Sequence, residues 1–186
     1  MSTATISMDH ITITALNQSN LPALLAHLRR HFAESGDNGF HFMPFAPDDP
    51  IGPNGVDIDK TALPIGMLQW QRWFIAIDSK TGNVCGHVDL KADGLRTGIH
   101  RCALGIGIEA AYRGIGLGKA LMNTAIDFVR NEDSIEWLDL MVFGHNKNAQ
   151  ALYKSCGFTE IGTVIDRFRI GELKIDDVMM TLKVTQ

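Results

Sequence analysis

Cysteine is scarce in this chain of 186 residues: Cys85, Cys102 and Cys156 stand far apart and form no C-x-x-C pair. They cannot build a disulfide framework or a cysteine-rich zinc site, and no metal is expected; they read as reduced, mostly buried small apolar residues. Positive charge is short as well. Seventeen Lys and Arg face 21 Asp and Glu, a formal charge of -4, so the basic stripe of a nucleic-acid binder is missing as a bulk feature and no nucleic-acid partner is expected. No apolar run approaches the roughly 18 residues that span a bilayer, and the start, MSTATISMDH, lacks the basic-then-apolar layout of a signal peptide. A cytoplasmic protein without a membrane partner is the expectation.

What is present fits one globular domain over residues 1–186, with 45% hydrophobic and 20% charged residues. Ile11 to Leu16 alternates apolar and Thr residues as a half-buried strand does, and Asn17 to Asn20 supplies turn and cap chemistry. A helix follows, with Pro22 in its first turn, Leu21, Leu24, Leu25 and Leu28 on one face, and Gly36 at its end. Residues 35–63 are irregular and hold four of the six prolines and five aspartates (Asp37, Asp48, Asp49, Asp57, Asp59), yet also Phe40, Phe42, Met43 and Phe45. A loop this long and this apolar reads as a lid or binding loop. Then come a hairpin (WFIAID, VCGHVDL), a strand (HRCALGIGI), a helix from about Leu117 to Arg130, a strand from Ile135 to Phe143, a short helix from Asn146 to Ser155, and a last hairpin about Gly171. Antiparallel runs interleaved with one βαβ unit predict a mixed α+β fold on a central sheet.

The segment IGIEAAYRGIGLGK, Ile106 to Lys119, passes from a buried strand through a glycine-rich turn into a helix. Such a turn aims backbone N–H groups along the positive end of the helix dipole and forms an anion site. A Walker A loop is excluded, because Arg113 stands where its first glycine belongs and Ala120 follows Lys119 in place of Ser or Thr. A dinucleotide fingerprint is also a poor fit, since Gly114, Gly116 and Gly118 are spaced G-x-G-x-G, although Asp139 lies about 20 residues on as a ribose ligand would.

R-G-x-G-x-G opening a helix, after Ile106, Gly107 and Ile108, resembles the acyl-CoA pyrophosphate loop of the GNAT superfamily of N-acetyltransferases. Downstream, N-x-x-A-x-x-L-Y-x-x-x-G-F is present as Asn146, Ala149, Leu152, Tyr153, Gly157 and Phe158, the second hallmark of that family. The resemblance covers roughly Trp73 to Val184, and the amino-terminal strand and helix match the family's layout. It implies a mixed, mostly antiparallel sheet of about seven strands flanked by about four helices, with acetyl-CoA as co-substrate. By the same resemblance the pyrophosphate is held by Arg113, Gly114, Ile115, Gly116, Leu117, Gly118 and Lys119. Ile106 to Ile108 splay from Leu140 to Phe143 to receive the pantetheine arm, with Asn146 and Ala149 beside it. Tyr153 stands near the sulfur as general acid, where its plain alternative is a half-buried helix aromatic. Cys156, one turn away, is a weaker thiol alternative.

For the base, the resemblance favours His100 at the head of the strand leading to the glycine turn, with Glu109 as the weaker candidate. In relatives that acetylate protein amino termini a glutamate often precedes the motif asparagine by five residues; here that position is Met141. The implied activity is acetyl transfer to the primary amine of a small molecule, an amino acid or similar, by direct attack in a ternary complex. A peptide amino-terminal acetyltransferase and a non-catalytic acyl-CoA-binding module are the alternatives, a homodimer is left open, and loop 35–63 is expected on the acceptor side. An apolar amino acid would need a cation for its carboxylate, with Arg72, Arg96, Arg101 and Arg167 as candidates by type.

Overall fold

The computed structural model describes residues 6–45, 56–92 and 94–184; Asp48 and Asp49 of the acidic stretch lie outside them. In chain order the elements are β1 (Ile11–Ala15), α1 (Leu21–Ala33), β2 (Gln71–Asp78), β3 (Val84–Ala92), β4 (Arg101–Ile108), α2 (Leu117–Arg130), β5 (Trp137–Phe143), α3 (Lys147–Ser155), β6 (Thr159–Ile170) and β7 (Leu173–Lys183). The strands form one sheet in the order β1-β2-β3-β4-β5-β7-β6. Every neighbouring pair is antiparallel except β4 and β5, which α2 joins as a crossover.

The expected sheet of seven strands is found, with three α-helices among the described residues in place of about four. The described parts of 35–63, read from the sequence as an irregular loop, form only short 3-10 turns at Asp37–Gly39 and Asp59–Ala62. Proline, glycine and aspartate there oppose a longer helix. The entry to α1 is built as its sequence predicts: Asn17 Oδ1 accepts from the Ser19 N–H at 2.9 Å, Pro22 sits in the first turn, and Gly36 adopts φ 101° just past the end.

Period-two alternation divides the sheet into two faces. On one, Leu117, Leu121, Met122, Ala125 and Val129 of α2 pack with Val88, Leu90, Leu104, Leu138 and Leu140. Each such leucine contributes about 1.5–3 kcal/mol by its burial. On the other, Leu24 and Leu28 of α1 meet Trp73, Ile75 and Val84. Covered on both sides, β3 is buried from Val84 through Leu90, and its polar residues His87 and Asp89 fall on the α1 face. Among the described residues no helix is long and apolar enough to cross a membrane.

Candidate active site

β4 and β5 run in register over three pairs only, Arg101–Trp137, Cys102–Leu138 and Ala103–Asp139. Beyond Ala103 the strands part, so Ile106 to Ile108 face Leu140 to Phe143 across a gap while their outer edges stay paired to β3 and β7. A cavity of about 760 Å³ follows this gap, walled by β4, the glycine turn, α3 and the end of β5. Backbone groups of both strands are left facing it, which a ligand with amides of its own could use.

At one end the cavity meets the start of α2. Gly114 and Gly116 adopt φ 80° and 95°, and a Cβ at either would point into open space. Gly116 is the cap residue and supplies no side-chain bond, and the first turn carries no acid. Its N–H groups are therefore available to an anion. Gly118 has a different reason: a Cβ there would lie 2.9 Å from Leu152 Cδ2, so glycine lets α2 and α3 approach. Lys119 lines the cavity, whereas Leu117 is buried in the core and Ile115 packs against it; neither is in the wall. Arg113 lines it too, but its guanidinium is engaged, donating to Glu34 Oε2 at 2.6 Å and to the Ile108 carbonyl at 2.9 Å.

Ile106, Gly107, Ile108, Asn146, Ala149 and Tyr153 all reach the cavity. Asn146 caps α3, its Oδ1 accepting from the Ala149 N–H at 3.2 Å, so the amide nitrogen is the part left for a ligand. Tyr153 is 7% exposed, and among the described residues its hydroxyl has no hydrogen-bond partner. Burial, with a smaller push from Cys156, raises its phenol pKa, so the proton is held at neutral pH. Cys156 is absent from the wall. Burial pushes the Cys85 and Cys102 thiols up to about 12, and all three cysteines are free.

His100 is not brought to the cavity. It is exposed in the turn before β4, where its carbonyl accepts from the Glu136 and Trp137 N–H groups at 2.8 and 3.2 Å. That is the joined end of β4 and β5, and a strand rising about 3.3 Å per residue sets it about 20 Å from Ile106. Glu109 is committed elsewhere, to Arg30 at 2.8 Å and His27 at 2.7 Å.

An aromatic end of the cavity is lined by Phe40, Phe42, Met43 and Pro44, by His31 of α1, by Met141 and Phe143, and by Phe168 and Asp177 of the last hairpin, with Arg113 lying over the Phe42 ring at 5.3 Å. Phe42 stacks on His31 with ring centroids 4.8 Å apart, and His145 Nε2 lies 2.6 Å from the His41 carbonyl, fixing the loop to the sheet. Asp37, Asp57 and Asp59 are not in the wall. Of the arginines, Arg72 donates to the Thr61 and Leu63 carbonyls, Arg101 pairs with Asp139 at 2.6 Å, Arg96 is exposed on a turn before β4, and Arg167 is exposed beside Phe168.

A buried histidine cluster lies beneath this end, and sequence reasoning missed it. His27 Nδ1 is 2.7 Å from Glu109 Oε1 and His27 Nε2 is 2.9 Å from His87 Nδ1. With Glu109, which pairs with Arg30, as the acceptor, His27 Nδ1–H donates to it; His27 Nε2 then accepts from His87 Nδ1–H, and His87 Nε2 carries a lone pair. A Cβ on Gly107 would lie 2.5 Å from His87 Cε1 and 2.7 Å from His31 Nε2, so β4 is bare there to admit the rings. His31 Nδ1 is buried without a hydrogen bond, 3.6 Å from Glu34 Oε2. Burial lowers all three pKa values, His31 to about 3 and His87 well below its usual range, and Glu109 partly offsets the effect at His27. The one signal was the pair of histidines four apart on a helix, with a third on a buried strand.

Compared with known proteins, the chain matches the acetyltransferase (GNAT) family over residues 45–158. It is 38% identical over 56 residues to a mycothiol acetyltransferase of Beutenbergia cavernae, a stretch that is 30% of this chain and spans only 18% of that protein. Its fold resembles an acetyltransferase of the GNAT family from Streptococcus pneumoniae, with TM-score 0.77 and 24% identity over 94% of this chain and 99% of that one. It also resembles a GNAT superfamily phosphinothricin acetyltransferase from Sinorhizobium meliloti in complex with acetyl-CoA, with TM-score 0.72 and 17% identity over 94% and 89% of the two chains. The family match spans more than half of the chain, and the parted β4 and β5 beside the glycine turn agree with it: the chain belongs to the acetyltransferase (GNAT) family, whose chemistry is acyl transfer from acetyl-CoA.

Proposed function

We propose that this protein moves an acetyl group from acetyl-CoA to the primary amine of a small molecule, an amino acid or an amine of similar size, within a ternary complex. The observation that carries the reading is the single cavity that joins the glycine turn, the parted strands and an aromatic-walled far end. The turn holds the pyrophosphate, and β4 and β5 hold the pantetheine amides. The acetyl carbonyl sits where a strand N–H can polarise it. Alignment of amine and thioester supplies several kcal/mol of the barrier.

The amine nitrogen attacks the acetyl carbon, the C–S bond breaks, and the departing sulfur takes its proton from Tyr153. The ammonium must first lose a proton. Of the proton acceptors lining the aromatic end, His31 with a pKa of about 3 is a poor one at neutral pH. Asp177, whose carboxyl burial raises, is the better one and replaces His100 in that role.

Thiol release measured on a panel of amino acids, small amines, polyamines, aminoglycosides and peptides tests the reading. An apolar small amine should exceed spermidine at equal concentration; spermidine or a peptide amino terminus favoured at least tenfold in kcat/KM would overturn it. Tyr153→Phe should lower kcat about 100-fold with acetyl-CoA affinity nearly unchanged. An unchanged kcat would assign the proton to water or another group.

A further inference from the structure

Asp177 is 3% exposed, yet it lines the cavity and has no hydrogen bond or ion pair to its side chain among the described residues. The fold covers the residue and leaves its carboxylate unpaired at the cavity wall, where a positively charged ligand group can pair with it. Its neighbour shows what a structural aspartate looks like in the same hairpin. The β6–β7 register jumps between Val164 and Phe168, and Asp176 Oδ1 accepts from the Asp166 N–H at 2.8 Å to hold that bulge. The bulge re-aims the chain, and Phe168 joins the cavity wall. Asp176 serves the fold, and Asp177 does not.

The charges around Asp177 are one-sided. Lys119 and Arg113, the cations in the wall, belong to the glycine turn, and Arg113 is paired with Glu34. Arg167, the cation that acts on Asp177, is exposed, stands outside the wall, and lies over the Phe168 ring at 5.6 Å. Beyond Asp177 the lining is Phe40, Phe42, Met43, Phe143 and Phe168, with the Glu34-paired Arg113 lying over the Phe42 ring at 5.3 Å. The remaining titratable group there, His31, is neutral at pH 7.

We infer that Asp177 is the subsite for the acceptor's ammonium group, and that the acceptor is a primary amine whose body is apolar and carries no carboxylate. The inference rests on the acetyl-transfer reading and narrows it. An amine of this class places its nitrogen on the Asp177 carboxylate and its hydrocarbon or aryl part against the phenylalanines. A free amino acid would bring a second carboxylate beside Asp177, and of the two cations in the wall Arg113 is already paired with Glu34 while Lys119 belongs to the glycine turn. Burial raises the Asp177 carboxyl and Arg167 opposes this; an arriving ammonium would act in the same sense as Arg167 and favour the charged form.

Calorimetric titration of the full chain, saturated with CoA, with phenethylamine and with phenylalanine tests the assignment. Phenethylamine should bind at least tenfold more tightly than phenylalanine. In Asp177→Asn the two should come within about threefold of each other, with CoA affinity and melting temperature as checks that the variant is folded. Equal or tighter binding of phenylalanine by the parent protein overturns the inference without recourse to any variant. So does a preference that survives in Asp177→Asn, or one lost only in Arg167→Ala. Binding is read separately from turnover: phenethylamine bound at Asp177 but never acetylated would sink the acetyl-transfer reading and leave the subsite standing.

Discussion

Gly116→Asp is expected to weaken acetyl-CoA binding by 100-fold or more, about 2.7 kcal/mol. Two effects act together. The residue adopts φ 95°, where a side chain is strained by about 1–3 kcal/mol, and a carboxylate there would face the N–H groups that the pyrophosphate needs. Gly116→Ala separates them, since it keeps the strain and adds no charge; it should cost no more than about tenfold. Gly82→Asp is the control, because Gly82 adopts φ 70° with open space around it in the β2–β3 turn, away from the cavity. Its affinity should match the parent. Calorimetry on the three variants decides the matter: binding by Gly116→Asp within threefold of the parent would remove the glycine turn from the cofactor site.

The second large effect is on stability in mild acid. His27, His31 and His87 all have folded pKa values below their unfolded value near 6.5, each first because of burial. Such a group contributes stability that is fully present above the unfolded pKa and lost as pH falls, since the unfolded chain takes up a proton that the folded chain refuses. Between pH 7 and 5.5 each is worth up to about 1 kcal/mol, so the three together come to on the order of 3 kcal/mol, with the share of His27 reduced by Glu109. The raised carboxyls of Asp89 and Asp177 act in the opposite sense and offset part of this loss. Urea unfolding at the two pH values should show the midpoint fall steeply, and His31→Leu should remove about a third of the drop. A flat midpoint would mean that the cluster is charged in the folded protein.

The strands and helices were legible because each carries its own period. Leu121, Ala125 and Val129 mark one face of α2 without reference to anything else in the chain, and all three are buried. The glycine turn was legible as an anion site for the same local reason. The rest depends on contacts between distant segments. His27 and His31 sit next to the leucine stripe of α1 and look solvated until Gly107, far along the chain, is seen to make room for His31 beside β4. Asp176 and Asp177 alternate between fold and cavity, and alternation alone cannot say which is which. His100 was correctly placed at the head of β4, but only the three-pair register shows that this is the joined end of the two strands.

That register has a mechanical consequence. The sheet is two leaves, β1 to β4 and β5 with β7 and β6, bound along a spine only three residue pairs long. A clasp sits on the spine: Arg101 grips both Asp139 oxygens at 2.7 and 2.6 Å, reaches Thr181 Oγ1 at 3.0 Å, and lies over the Trp137 ring at 4.8 Å. From Ala103 to Ile108 the gap has a lever arm of about 16 Å. A small tilt at the clasp is therefore magnified at the mouth, and the angle between the leaves gauges the thickness of whatever lies between them.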